Sequence, residues 1–398
     1  MTRPADQPRL VHVATIPSTF MFLAGQIAYM RERGLEVHTI SSGRDLPPGF
    51  TDSHVATHHA IEMTRRITPA RDLRSLSDLV RRIRAIRPAI VHSHTPKAGL
   101  LGMIAARLAG VPVRIYQIHG LPFMTATGSK RQLLRLTERL SCRLANQALC
   151  VSQGMRNVAI SEGFCPPGKI KVLRDGSING VDAEVKFNPG AYPDTVRIET
   201  RRRCGISENA IVIGFVGRVV RDKGMRELAQ VWLRLRHDFD DIHLLMVGDF
   251  DEDDRIPAFT EQALRRDERV HLPGLVWDMP PFYKAMDLVV LPTYREGFPV
   301  VPLEAAAMGL PVVATTVPGC TDAIIDGVTG VLVPPGDPLA LREAIADYLA
   351  DPAARAAHGR SARERVLTKF RPSDIWEATY AEYRRLMDEA GPHLDEPA

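Results

Sequence analysis

The strongest constraint on this chain is an alternation that runs twice. A β-branched run, "RLVHVATI", leads into a helical stretch through "FLAGQIAYMRERG" that ends at Gly34, and "LEVHTIS" follows. Strand, helix, strand is the repeating unit of a parallel α/β sheet, whose strands are covered on both faces and therefore read as continuous apolar runs. More units follow: a helix near 71–87, "AIVHSHT", "AGLLGMIAARLAG", "VPVRIYQIHG", "KRQLLRLTERLSCRL", "QALCVS" and "IKVLRDGSINGVD". Between Tyr192 and Ile206 the apolar pattern fades into "YPDTVRIETRRRCGIS". It restarts at "AIVIGFVGR" and continues through "MRELAQVWLRLR", "IHLLMVGD", "VHLPGL", "MDLVVLP", "PLEAAAM" and "LPVVAT". Two such sets joined by a polar hinge predict two doubly wound domains, and 398 residues exceed what one ordinary core holds. Sheets of this kind bind ligands at the carboxyl ends of their strands, and two such crests can face each other across a cleft.

Two strand ends in the second set carry concentrated chemistry. In "IVIGFVGRVVRDKGMREL" a strand stops at Gly217, Arg218 and Lys223 follow, and Gly224 opens a helix. The order matches neither a Walker A loop nor GxGxxG. Two cations beside a helix N-terminus suit a diphosphate, with Arg218 as a forked donor and Lys223 as a point charge; surface ion pairing is the plain alternative. In "PTYREGFPVVPLEAAAMGLPVVAT" the acids Glu296 and Glu304 stand eight residues apart around a turn. Pro302 fits the first turn of a helix, which places Glu304 in that turn and leaves Glu296 in the loop. Amides from Gly297 through Val301 can point at an anion, and Glu304 can accept from a ribose diol, as the acid of dinucleotide sites does. Both acids could instead merely complement the helix dipole, but that explains Glu296 poorly. Two carboxylates would repel a diphosphate, and Arg218 and Lys223 supply the compensating charge.

Charge is uneven along the chain. Residues 1–200 carry 27 Lys+Arg against 15 Asp+Glu, and the remainder carry 24 against 32. Much of the excess lies in residues 65–88 and 130–144, where Leu133, Leu136, Leu140 and Leu144 recur at helical spacing and Lys130, Arg131, Arg135, Arg139 and Arg143 lie largely on other faces. A solvated helix face and a surface meeting anionic lipid phosphates both fit, since clustered cations gain about 1 kcal/mol each near such a bilayer. No nucleic-acid motif or stacking platform accompanies the charge, so nucleic acid is not expected. The five cysteines are odd in number and scattered, which points to a reduced, cytosolic chain. No apolar run reaches the roughly 20 residues of a membrane span, no signal peptide is expected, and disorder is expected only at the two ends.

The E-x7-E pair, with the GR-x4-KG loop upstream, resembles the signature of retaining glycosyltransferases of family 4. The resemblance extends through "LVHVATIPSTFMFLAGQIAYMRERGLEVH", "RPAIVHSHTPKAGLLGMIAARLAGVPVRIYQIHG" and "VPGCTDAIIDGVTGVLVPPGD". These read like the subgroup that makes capsular polysaccharide and bacterial N-glycan precursors. The resemblance implies the α/β GT-B fold, two Rossmann-like domains facing each other across a cleft. Residues 1–190 would bind acceptor and 205–372 the nucleotide-sugar donor. A helix within 373–398 would return to the N-terminal domain, followed by a tail.

The same resemblance assigns residues. Arg218 and Lys223 would hold the diphosphate, Glu304 the ribose, and Glu296 the hydroxyls of the donor sugar. Gly297, Phe298, Pro299, Val300 and Val301 would line the phosphates and sugar, with Leu275 also on the donor side, and His119 would line the sugar pocket. Ser18 and Thr19 stand where many members carry a glycine pair and would be polar lining on the acceptor side. His94 and Lys97 would also lie there, Lys97 toward the acceptor diphosphate. His92 and His94 share one strand face, a metal-ligand spacing, but no third ligand is evident nearby and no metal or other cofactor is expected. The loop "VGDFDEDD" reads as solvated rather than as a metal-binding DxD motif.

The implied reaction moves a hexose, such as an N-acetylhexosamine, from a UDP-sugar to a polyprenyl-diphosphate-linked saccharide at the inner face of the cytoplasmic membrane. Front-face substitution is expected, because double displacement needs a carboxylate opposite the leaving group and the sequence positions none. A GDP-sugar, a soluble acceptor or a phosphoinositide-type lipid remains open within transferases. Outside them stand a nucleotide-sugar epimerase and a non-catalytic scaffold. The intact E-x7-E pair disfavours both, and the absence of GxGxxG disfavours a dehydrogenase. The sequence leaves the oligomeric state undetermined.

Overall fold

The computed structural model describes residues 7–43, 57–64 and 66–391, so much of both ends expected to be disordered, and Arg65 in the first basic stretch, lie outside the described residues. The chain divides into two compact units, residues 1–179 with 372–398, and residues 180–371.

The first unit begins with β1 (Arg9–Val13), α1 (Ala24–Glu32), β2 (Glu36–Ser41), β3 (Thr57–Ala60), α2 (Pro69–Ile86) and β4 (Ile90–His94). It continues with α3 (Pro96–Leu108), β5 (Val113–Ile118), α4 (Gly128–Leu144), β6 (Gln147–Cys150), α5 (Gln153–Ser161) and β7 (Ile170–Val172). The sheet order is β3-β2-β1-β4-β5-β6-β7, and every pairing is parallel. Chain direction across the sheet therefore reverses between β1 and β4, the switch point at which such sheets open a crevice. His12 pairs in register with His92, and His94 with Gln117, so these side chains share one face of the sheet.

The second unit runs α6 (Asp194–Arg203), β8 (Ile211–Val216), α7 (Met225–Asp238), β9 (Ile242–Val247), α8 (Ala258–Arg266), β10 (Val270–Gly274) and α9 (Pro280–Ala285). Then come β11 (Leu288–Leu291), α10 (Val300–Ala307), β12 (Val312–Thr315), α11 (Cys320–Ala323), β13 (Gly330–Val333), α12 (Pro338–Ala350) and α13 (Pro352–Lys369). Its sheet, β10-β9-β8-β11-β12-β13, is also wholly parallel, with its switch point between β8 and β11. The last helix, α14 (Pro372–Ala390), belongs to the first unit, where Tyr383, Leu386 and Met387 complete a core with Leu10, Ile27 and Ile115.

Two boundaries differ from the sequence reading. The stretch from Tyr192 to Ile206 is not a polar hinge, because α6 forms there within the second unit. Arg201 is buried and donates to the carbonyls of Ala285, Glu208 and Ala210 and to the Asp287 carboxylate, while Arg197 holds the other Asp287 oxygen at 2.8 Å. Arginine hydrogen bonds anchor this helix in place of an apolar stripe, which is why its hydrophobic signal is weak. Residues 180–190, assigned by the sequence to the first domain, also join the second unit. There the Arg363 guanidinium holds the carbonyls of Ala183 and Phe187 at 3.2 and 3.3 Å.

Candidate functional site

The loops that follow β8 and β11 meet at the switch point of the second unit. Gly224, at φ 68°, marks the closest approach, for a Cβ there would stand 1.9 Å from the Pro292 carbonyl oxygen. Only glycine permits that contact. Asp222 ties the loops further: its carbonyl accepts from the Tyr294 amide at 2.8 Å and the Thr293 hydroxyl at 3.0 Å, and its carboxylate pairs with Arg295 at 2.9 Å. Held this way, Lys223 Nζ donates directly to Glu296 Oε1, with both side chains mostly buried. Arg218 is the more open cation, at 61% side-chain exposure, and pairs with Asp251 at 2.7 Å. Lys223, Arg218 and Arg295 are thus each matched by an acid, whereas Arg221 donates to the Arg255 carbonyl.

Helix α10 opens at Val300, two residues earlier than the sequence reading, and Pro302 sits third in it, where its missing N–H still costs nothing. Glu304 consequently lies in the second turn rather than the first. No side chain caps the first turn, which leaves its amides available to an anion. Gly297, Phe298 and Pro299 are buried, Val300 and Val301 half-buried. Phe298 packs on Phe370 with ring centroids 5.5 Å apart. Tyr283 donates to Glu304 Oε2 at 2.8 Å. Desolvation pushes the Glu304 carboxyl up to about 7, opposed by the Tyr283 bond and by Lys186. Its other oxygen has no hydrogen-bond partner among the described residues. Leu275 is exposed just beyond β10, and its amide is held by Asp249 at 3.1 Å.

The crest of the first unit is built differently. Ser18 is exposed and Thr19 half-buried, in a 3-10 turn after β1. Thr95 adopts φ 64°, a strained value for a β-branched residue, and its hydroxyl meets that of Thr15 at 2.8 Å. Below it lies a chain of imidazoles. His119 Nε2 contacts His94 Nδ1 at 3.0 Å, and His94 Nε2 contacts His12 Nδ1 at 2.9 Å. His92 stands beside them and meets the Tyr383 hydroxyl at 2.6 Å. Burial lowers all four rings, His12 to about 3 and His119 to about 4, so they are uncharged at neutral pH. Lys97, expected toward an acceptor diphosphate, has its ammonium mostly buried against Asp72 at 2.7 Å and the Thr64 hydroxyl at 3.3 Å.

The structure thus joins Lys223 with Glu296 and sets Arg218 and Glu304 on the elements around them, and it joins His94 with His119. Three participants escape the sequence reading. Asp251 lies in the loop read as solvated, Tyr283 is a lone tyrosine in a short helix, and His12 reads as one polar residue within an apolar strand. His12 also supplies the third nitrogen that the His92 and His94 pair lacked, since one nitrogen from each of the three lies within 4.8 Å of the others. The strand register carried that signal, and register is not visible in sequence.

The family model described as Glycosyltransferase Family 4 matches residues 21–184, and the one described as Glycosyl transferases group 1 matches residues 210–351. The chain is 34% identical over 383 residues to the capsular polysaccharide biosynthesis glycosyltransferase CapM of Staphylococcus aureus, covering 96% of this chain and 98% of that protein. It is 28% identical over 287 residues to the UDP-Gal:alpha-D-GlcNAc-diphosphoundecaprenol alpha-1,3-galactosyltransferase of Escherichia coli, covering 71% and 72% respectively. Among solved structures, Alr3699/HepE of Anabaena, in complex with UDP-glucose, superposes with a TM-score of 0.78 at 20% identity, covering 95% of this chain and 99% of that one. That likeness bears on the fold, two doubly wound domains of the GT-B kind.

Proposed function

The chain belongs to glycosyltransferase family 4, and from that membership we propose that it transfers a hexosyl group, with retention, from a UDP-sugar to a saccharide carried on a polyprenyl diphosphate. The observation that carries this reading is the Lys223–Glu296 pair at the switch point of the second unit. An entering diphosphate replaces the carboxylates as partner of Lys223 and Arg218, which frees Glu296 to take a sugar hydroxyl. Amides at the start of α10 take a phosphate oxygen, and Glu304, oriented by Tyr283, takes the ribose. As the sugar–phosphate bond breaks, negative charge grows on the departing diphosphate. Preplaced cations and amides stabilise it, the contribution usually largest in such catalysis. The leaving phosphate accepts the acceptor's proton in front-face substitution. The proposed reaction calls on no metal, because side-chain cations occupy the role a divalent ion would play.

The choice of donor and acceptor draws on the relatives: the E. coli protein is named for UDP-Gal and a diphosphoundecaprenol-linked sugar, and the S. aureus protein for capsular polysaccharide. A surface feature of this chain supports a lipid acceptor. On α4 the packed side is Leu134, Glu138, Ser141 and Cys142, whereas Leu133, Leu136 and Leu140 are exposed. Lys130, Arg131, Arg139 and Arg143 are exposed around them. An outward leucine stripe ringed by cations suits peripheral docking on an anionic bilayer. Among the described residues no helix is long and apolar enough to cross a membrane.

The test is nucleotide release from a panel of UDP- and GDP-sugars, with and without a polyprenyl-diphosphate saccharide. Release of UDP that depends on the lipid acceptor is expected. Acceptor-independent epimerisation, or turnover of GDP-sugars alone, overturns the proposal.

A further inference from the structure

The histidine chain beneath the first crest does more than fill space. His119, His94 and His12 lie in line, each adjacent pair of rings joined by one short nitrogen-to-nitrogen contact. His12 Nε2, at the inner end, is buried without a hydrogen-bond partner among the described residues. Since every ring is neutral, each carries one proton, and the bonds must all run the same way along the chain. If they run inward, His12 buries a bare N–H. If they run outward, it buries only a bare lone pair. Orphaned buried donors are the rarer case in proteins, so the outward order is favoured. In that order His12 Nδ1–H donates to His94 Nε2 and His94 Nδ1–H donates to His119 Nε2. His119 then holds its own proton on Nδ1, the nitrogen outside the chain.

We propose that His94 and His12 are positioning residues that lock His119 as the neutral Nδ1–H tautomer, presenting a single fixed donor to a ligand oxygen at the crest of the first unit. The lock follows from the histidine contacts and from the neutrality that burial imposes on the rings; only its use on a sugar substrate rests on the proposed function. A metal shared by the three buried histidines is the rival occupant. Ligands of a tetrahedral ion bound at about 2.0 Å stand about 3.3 Å apart. The 2.9 Å contact between His94 and His12 is closer than that and accommodates a proton. His92 lies to the side, engaged with Tyr383, and a charge on any one of these rings would raise the cost of charging its neighbours.

The experiment is long-range proton–nitrogen correlation NMR on the full chain labelled with 15N-histidine, at neutral pH, with the His119 signals assigned by their loss in His119→Gln. Wild-type protein is expected to show His119 protonated at Nδ1 only. In His94→Phe the chain is cut beside His119, whose half-buried ring then receives no hydrogen bond at Nε2, so His119 is expected to populate both tautomers and kcat/KM to fall roughly tenfold or more. Nε2–H at His119 in the wild type, or an unchanged tautomer in a folded His94→Phe protein, overturns the proposal. So does one equivalent of zinc in the purified chain, measured by elemental analysis. The wild-type spectrum decides the matter even if His94→Phe fails to fold. A locked Nδ1–H in a chain that turns over no sugar nucleotide would overturn the functional reading and leave the lock standing.

Discussion

The two units share a topology and solve opposite electrostatic problems. Beneath the crest of the first lie neutral imidazoles bonded to one another, with His12 Nε2 left without a partner among the described residues. At the crest of the second lie charges matched in pairs, Lys223 with Glu296, Arg218 with Asp251 and Arg295 with Asp222. A neutral chain tolerates burial and holds a proton in one place. Paired charges can exchange one partner for another, which is what an incoming dianion requires. On the reading proposed above, one fold offers a fixed donor on one crest and exchangeable charge pairs on the other.

The sharpest way to break this contrast is Lys223→Ala. It removes the cation that the proposal hands from Glu296 to the diphosphate, and a fall of about 10²- to 10³-fold in kcat is expected from nucleotide release. Glu296→Gln is expected to fall similarly, and unchanged turnover in either variant removes that residue from the reaction.

Acid offers the next test. His12, His92, His94 and His119 have folded pKa values below the ordinary 6.5, so at these sites the folded state binds fewer protons than the unfolded one. Their contribution to stability is complete above about 6.5 and is lost as pH falls toward about 4 and below. Glu138 and Glu304 are both raised to about 7 by burial and act in the opposite sense, gaining as pH falls from about 7 toward the unfolded value. One such carboxyl sits in each unit, whereas the buried histidine chain is confined to the first. Hydrogen exchange at pH 7 and pH 5 should show amides of the first unit losing more protection, and equal losses would erase the contrast.

The exposed leucines of α4 sharpen the comparison from outside. Replacing Leu133 and Leu136 by serine is expected to weaken sedimentation with anionic vesicles about tenfold, since each leucine fully transferred from water is worth about 1.5–3 kcal/mol and interfacial transfer is partial. Binding unaffected by salt and by these substitutions would remove the docking face. The smallest effect is expected for Tyr283→Phe. Loss of one hydrogen bond to Glu304, worth about 1 kcal/mol, should raise KM for the donor about fivefold and leave kcat nearly unchanged.

What could be read in the sequence was whatever lies in a local pattern. The alternation of apolar runs specifies both sheets, and the spacing of Arg218 and Lys223, and of Glu296 and Glu304, singles out the ends of β8 and β11, whose loops meet in the structure. What stayed hidden depends on contacts between distant segments. His12 acquires meaning only when β1 pairs with β4. Asp251 and Tyr283 matter through side-chain bonds to residues 33 and 21 positions away. Periodicity also marks α4 as two-faced without saying which face turns inward. There the leucine stripe lies outside, and the packed side carries Glu138 bonded to Tyr116 at 2.7 Å. Helix α6 is missed for a related reason, since its anchor is the buried Arg201 and not an apolar stripe.

The contact between Gly224 and the Pro292 carbonyl has a consequence for anyone who would redesign donor choice. The segment bearing Arg218 and Lys223 and the segment bearing Glu296 are moulded to each other at backbone level. Grafting either one alone from another enzyme imports a surface cut for a different counterpart. The transplantable part is the couple, roughly residues 217–224 together with 292–304, and chimeras that respect that seam are the ones to build first.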